Sequence, residues 1–228
     1  MKNKILKTII WKENKVFFKS CFPLCLLYFG LELYFFISNI NNAVIFNEKI
    51  LRGQLFIFTA LNMAVMGSLI SNINMGVDMK AKVMPILLGM TKRKELIWLA
   101  KVVYSFIVGF ILSIVGCVAM MYMYFQKGYI AVNFVTDIEF IITGILIGLS
   151  FIAINMLIIW IIKREIIVMM ISLILPVLLI ISIMMLMDTF QKISVGVIGI
   201  VAIVGFILII SSYFFIKKIP NALLLDKV

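Results

Sequence analysis

Few side chains in this 228-residue sequence could do chemistry, and their types exclude most reactions. There is no histidine. That removes His-based zinc motifs, Ser–His and Cys–His nucleophile pairs and His proton relays. The three cysteines, Cys21, Cys25 and Cys117, stand in apolar surroundings. Cys21 and Cys25 are one helical turn apart, a spacing open to a metal or redox pair. No further ligand type accompanies them, so they read as small packing residues in a reducing compartment. Glu32 is the one ionisable residue inside an apolar run. A mid-membrane carboxylate costs roughly 2.5–3.5 kcal/mol, so it faces protein or water and marks function. Alternatively it is protonated and shares a hydrogen bond with Asn62 or Asn155. No second acid or histidine lies at that depth to complete a relay. No G-x-x-x-x-G-K-[ST] occurs, so the chain has no loop to cradle ATP. The sequence therefore predicts a protein that is not itself an enzyme and has no catalytic, cofactor-binding or metal residues of its own.

The elements that must position these residues are six apolar runs, 21–40, 55–73, 102–125, 140–162, 166–187 and 193–216. A helix rises about 1.5 Å per residue, so roughly 20 apolar residues cross a hydrocarbon core. Hydrophobic residues make up 64% of the chain, far above a soluble domain. The expected fold is an all-α polytopic membrane protein of six transmembrane helices in a single domain, 1–228. No cleavable signal peptide is visible, because lysines interrupt the N-terminal apolar positions.

The formal net charge of +11 raises nucleic-acid binding as a reading. Its distribution argues otherwise. With both termini inside, 17 of the 21 basic residues fall in cytoplasmic segments and only Lys49, Arg52, Lys127 and Lys192 outside. Acidic residues show no such bias. This is the positive-inside pattern of a plasma-membrane protein, multi-pass with cytoplasmic termini. No soluble domain is left to present a basic face to nucleic acid.

Residues 2–19 are too charged to span. Ile5, Leu6, Ile9, Ile10, Val16 and Phe17 share one arc of a helical wheel, and five lysines share the other, with Glu13 the exception inside the apolar arc. The pattern predicts an amphipathic helix lying in the interface, lysines toward anionic headgroups, with Trp11 and Phe18 at headgroup level. The alternative is a basic flank without a defined helix. The longest inner connection is 74–101. It carries Asp78, a short apolar stretch of Val83, Met84, Pro85, Ile86, Leu87 and Leu88, then Thr91 and a basic cluster at Lys92 and Arg93, and Lys101. An apolar patch of one or two turns held at the cytoplasmic surface suits a groove on a soluble partner, or rests on lipid.

In this arrangement the chain resembles the ABC-2 class of ABC transporter permeases. Asp78 resembles that family's acidic position, residues 83–88 its leucine-rich coupling helix, Thr91, Lys92 and Arg93 its turn and basic cluster, and Lys101 the lysine opening its third span. Met90 and Thr91 stand where the family often has proline; Pro85 lies upstream. The short connection at 188–192 leaves little room for the re-entrant element of several branches. The resemblance implies a transmembrane half without its motor. Two copies of a separate cytoplasmic ABC ATPase, carrying ATP and magnesium, would dock on 83–88. A second permease copy, or a related permease, would complete the path.

Other intramembrane residues carry weaker signals. Thr59 and Asn62 in the second run and Asn155 in the fourth line a path or bind helix to helix. Gly144 and Gly148, with Gly196, Gly199 and Gly205, read as close-packing positions. The resemblance places the second and fifth spans along the translocation route. The fifth holds Met169, Met170 and Met184 around Pro176, which would kink it. These methionines form an adaptable apolar wall or simply fill gaps. The expected activity is ATP-driven export of small amphipathic cargo, such as a peptide toxin, an antimicrobial peptide or a hydrophobic compound. The alternatives are a substrate-capturing membrane subunit or an ATP-independent carrier.

Overall fold

The computed structural model describes residues 2–42, 48–80, 83–90, 93–126, 134–162, 170, 174, 178 and 195–220, and nearly all of them are helical. In chain order the helices are α1 (Lys2–Val16), α2 (Phe22–Asn42), α3 (Glu48–Leu61), α4 (Gly67–Lys80), α5 (Val83–Met90), α6 (Lys94–Gln126), α7 (Phe134–Ile161) and α8 (Val195–Lys218). A π-turn, Phe17–Cys21, joins α1 to α2, and another, Asn62–Met66, joins α3 to α4.

Four stretches are long and apolar enough to cross a membrane: Leu55–Asp78, Lys94–Gln126, Ile138–Ile161 and Gly199–Lys218. They match the second, third, fourth and sixth runs. The first run falls in α2. The fifth, with Pro176, Met169 and Met184, lies outside the described residues, apart from single helical positions at Met170, Ile174 and Leu178, all exposed.

Neighbouring contacts fix the relative directions of the helices. Thr59 meets Gly144, Met63 meets Gly148, Gly67 meets Ile152 and Ser71 meets Asn155, turn for turn. The α3–α4 rod and α7 are therefore parallel. Against α6 the order reverses: Thr59 accepts from Ser113, Met63 faces Gly109 and Gly67 faces Ser105. α3–α4 and α6 are thus antiparallel, as successive spans must be. The α3–α4 rod is the centre of the bundle, with 72% of its apolar window enclosed by protein against 17% for α8.

Glycine sets the closest approach. A Cβ on Gly148 would lie 2.1 Å from the Met63 Cβ, and one on Gly144 2.1 Å from the Thr59 Oγ1. The close-packing expectation for this GxxxG pair agrees with these distances. Gly205 likewise sits against Ser150, and a Cβ on Gly199 would meet nothing within 4 Å among the described residues.

Within the inner segment 74–101, α4 runs on to Lys80 and α6 begins at Lys94, with α5 the separate element among the described residues. At 33 residues α6 is about 50 Å long, well beyond a hydrocarbon core. The N-terminal helix differs from its expectation. Ile9, Glu13, Phe17, Cys21 and Cys25, each one turn apart, form a buried stripe that runs through the π-turn into α2. The part of the predicted arc that was to meet lipid, at Ile9 and Phe17, meets protein. Ile10, Trp11, Phe18 and Phe22 remain exposed on other faces. The cause is α6: Glu13 bonds Lys101 and Asn14 accepts from Tyr104 at 2.8 Å, so α1 lies lengthwise along the base of α6.

A buried ion cluster as the candidate functional site

Asp78 stands in the last turn of α4, Lys101 in the third turn of α6 and Glu13 near the end of α1. α4 and α6 are largely apolar rods, and α1 presents a buried stripe with Ile9 and Phe17 on either side of Glu13, so burial of these faces carries the charges inside. Lys101 is 1% exposed; Glu13 and Asp78 are not exposed at all. The Lys101 Nζ donates to Asp78 Oδ2 at 2.6 Å and to Glu13 Oε1 at 2.7 Å. Lys12, still 21% exposed, reaches Glu13 Oε1 at 2.8 Å and also pairs with Asp78 Oδ1. Two cations and two carboxylates thus neutralise one another across three helices. Each buried ion would cost several kcal/mol alone, so the four hold only as a set. Glu13 Oε2 is buried without a hydrogen-bond partner among the described residues.

The cluster closes the base of the α4–α5–α6 hairpin. α5 packs its Leu87 into the core, with Val83 and Leu88 partly buried beside it. Ile86 points away and is 61% exposed. The hairpin is tied to its surroundings at two further places. Lys94 donates to the carbonyl of Ile219, just after α8, and Cys21 contacts Asn74 Oδ1 at 3.9 Å. The Arg93 carbonyl accepts from the Leu96 amide as α6 begins.

The structure thus brings Asp78 and Lys101 together, with α5 between them in sequence. Pro85 is half-buried on α5. Thr91 and Lys92 lie outside the described residues, as does the Met84 side chain. The path candidates do not form one group. Thr59 is buried, its hydroxyl 2.9 Å from the Leu55 and Phe56 carbonyls, on the face that receives Gly144. Asn62 is buried in the π-turn. Met170 is exposed. Glu32 lies within α2, its side chain outside the described set. Asn155 donates to Ser71 Oγ at 3.0 Å.

Glu13 and Lys12 are the members that sequence reading did not place in the site. The signal for Glu13 was its position in an otherwise apolar arc. Lys12 carried none, being one of five lysines on the polar side. Among the described residues no group of three His, Cys, Asp or Glu is arranged to hold a metal ion. The chain matches no protein-family model, no curated protein and no solved structure.

Proposed function

We propose that this chain is the transmembrane permease subunit of an ATP-driven ABC exporter, with six spans and both termini on the cytoplasmic side of the cell membrane. One observation carries the reading. The short helix α5 offers Ile86 outward while the hairpin that holds it is locked at its base by Asp78, Lys101 and Glu13. A force applied at Ile86 then moves α4, α6 and α1 together, because displacing any one of them would strand a buried charge. A helix that only connected two spans has no need of that lock. A separate ATPase pair supplies the force, and a second permease copy or a related one completes the path. The apolar bundle suits small amphipathic cargo.

The test is co-purification. Tagged protein should capture an ABC ATPase subunit, and deletion of 83–88 should abolish both capture and efflux. Efflux that survives the deletion overturns the reading. Transport in sealed vesicles without ATP would instead select the rival reading, an ATP-independent carrier.

A further inference from the structure

Glu13 of α1 stands beside Lys101 of α6, Asn14 beside Tyr104, and Phe29 of α2 beside Gly116. The α1–α2 rod therefore runs parallel to α6 and stands upright with it, where the sequence predicted a helix lying flat in the interface. Depth along α1 can then be read from α6. The apolar run of α6 opens at Val102, level with Glu13. Lys15 lies about 3 Å, Lys19 about 9 Å and Phe22 about 13 Å to the hydrocarbon side of that level, at the helical rise of about 1.5 Å per residue. Trp11, Lys15, Phe18, Lys19 and Phe22 are all exposed. A lysine at such a depth is costly unless its stem carries the ammonium back toward the headgroups or an anion comes to meet it. Helix side chains tilt toward the N-terminus, which here is the headgroup side. Lys15 shows this tilt: its Nζ lies 4.3 Å from the centre of the Trp11 ring, one turn nearer the headgroups. The same tilt directs Lys19 toward Lys15. The Phe18 and Phe22 rings, with centroids 5.8 Å apart, form an apolar step on the hydrocarbon side. Glu13, the acidic residue of α1, is buried in the ion cluster and leaves the positive charge of this exposed face unopposed.

Two cations above an exposed aromatic step, at the border of the hydrocarbon, fit an anion that brings its own apolar tail. A soluble acidic protein would not reach Phe18 and Phe22 at that depth, and free phosphate would leave their rings uncovered. We propose that this face of α1 and the adjoining π-turn binds one anionic phospholipid of the adjacent leaflet: Lys15 and Lys19 hold the headgroup phosphate, Trp11 caps it on the water side and Phe18 and Phe22 take the acyl chain. The site goes beyond the exporter reading and does not depend on it.

The test uses the full chain in neutral detergent and native mass spectrometry with phosphatidylglycerol and phosphatidylcholine of matched acyl chains. Phosphatidylglycerol should be retained in preference, and a phosphatidylglycerol with a diazirine on its acyl chain should label the chain at Phe18, Phe22 or their immediate neighbours. Lys15→Gln with Lys19→Gln should weaken retention roughly thirtyfold, as two lysines lost from a membrane surface imply. Lys15→Arg with Lys19→Arg should keep it. Lys217→Gln with Lys218→Gln, the same loss of charge at the exposed end of α8, should leave it unchanged. Equal retention of the two lipids, equal weakening by the α8 pair, loss in the arginine pair, or labelling confined to other helices overturns the proposal. Release of the lipid by soluble polyglutamate would assign the face to an acidic protein instead, and release by inorganic phosphate to a free anion; either result overturns it as well.

Discussion

The Lys101 Nζ lies 2.6 Å from Asp78 Oδ2, and both side chains are buried. The bond joins the end of one membrane helix to the start of the next across α5. Lys101→Met should leave two buried carboxylates with only Lys12 and cost about 3–5 kcal/mol. Thermal unfolding in detergent checks it. Adding Glu13→Gln and Asp78→Asn to the same variant should recover much of the loss, because an uncharged set has no ion to strand. Lys12→Met, at the wetter edge, should cost less than Lys101→Met.

Gly148→Ala places a methyl 2.1 Å from the Met63 Cβ, an atom bonded to the backbone that no rotamer change can move away. It should lower stability by about 1–3 kcal/mol, the usual range for overpacking. Gly76→Ala is the control. Among the described residues nothing lies within 4 Å of its new Cβ, and the helix should gain up to about 1 kcal/mol. Equal melting temperatures for the two variants would contradict the close α3–α4 and α7 contact.

Asn155 donates to Ser71 between parallel helices, while Ser68 Oγ, buried beside it in sequence terms, has no partner among the described residues. Asn155→Leu should therefore cost about 0.5–2 kcal/mol, the range for interhelical bonds in membranes. Ser68→Ala should cost less, having no side-chain bond to lose. Denaturant titration of the two variants compares them.

The apolar runs made the spans legible, because crossing a membrane is a property of local composition. The GxxxG pair was legible for the same reason. The ion cluster was not, since Glu13 and Lys101 are 88 residues apart and meet only through packing. Asp78 and Lys101 stood out by resemblance, whereas Glu13 showed only as a misfit in an apolar arc. The same misfit explains the N-terminal helix. A wheel shows that Ile9 and Phe17 want burial but cannot say whether lipid or protein buries them. The two π-turns left no mark in the residue pattern, so the continuity of α1 with α2 could not be read in advance.

The charge distribution predicts sidedness. In a background where Cys21, Cys25 and Cys117 are buried and slow to react, Lys15→Cys and Lys217→Cys should react with a membrane-impermeant maleimide only after permeabilisation. Lys49→Cys should react in intact cells. The reverse pattern would invert the topology and place α5 outside, beyond reach of a cytoplasmic motor.

The central claim is that α5 is gripped from outside the chain at Ile86. The most direct measurement is photocrosslinking in living cells from p-benzoylphenylalanine placed at position 86, with Leu87, buried in the core, as the control position. The account predicts an adduct with an ABC ATPase subunit from position 86 and none from position 87. Position 86 yielding no protein adduct, in cells where efflux continues, would contradict it.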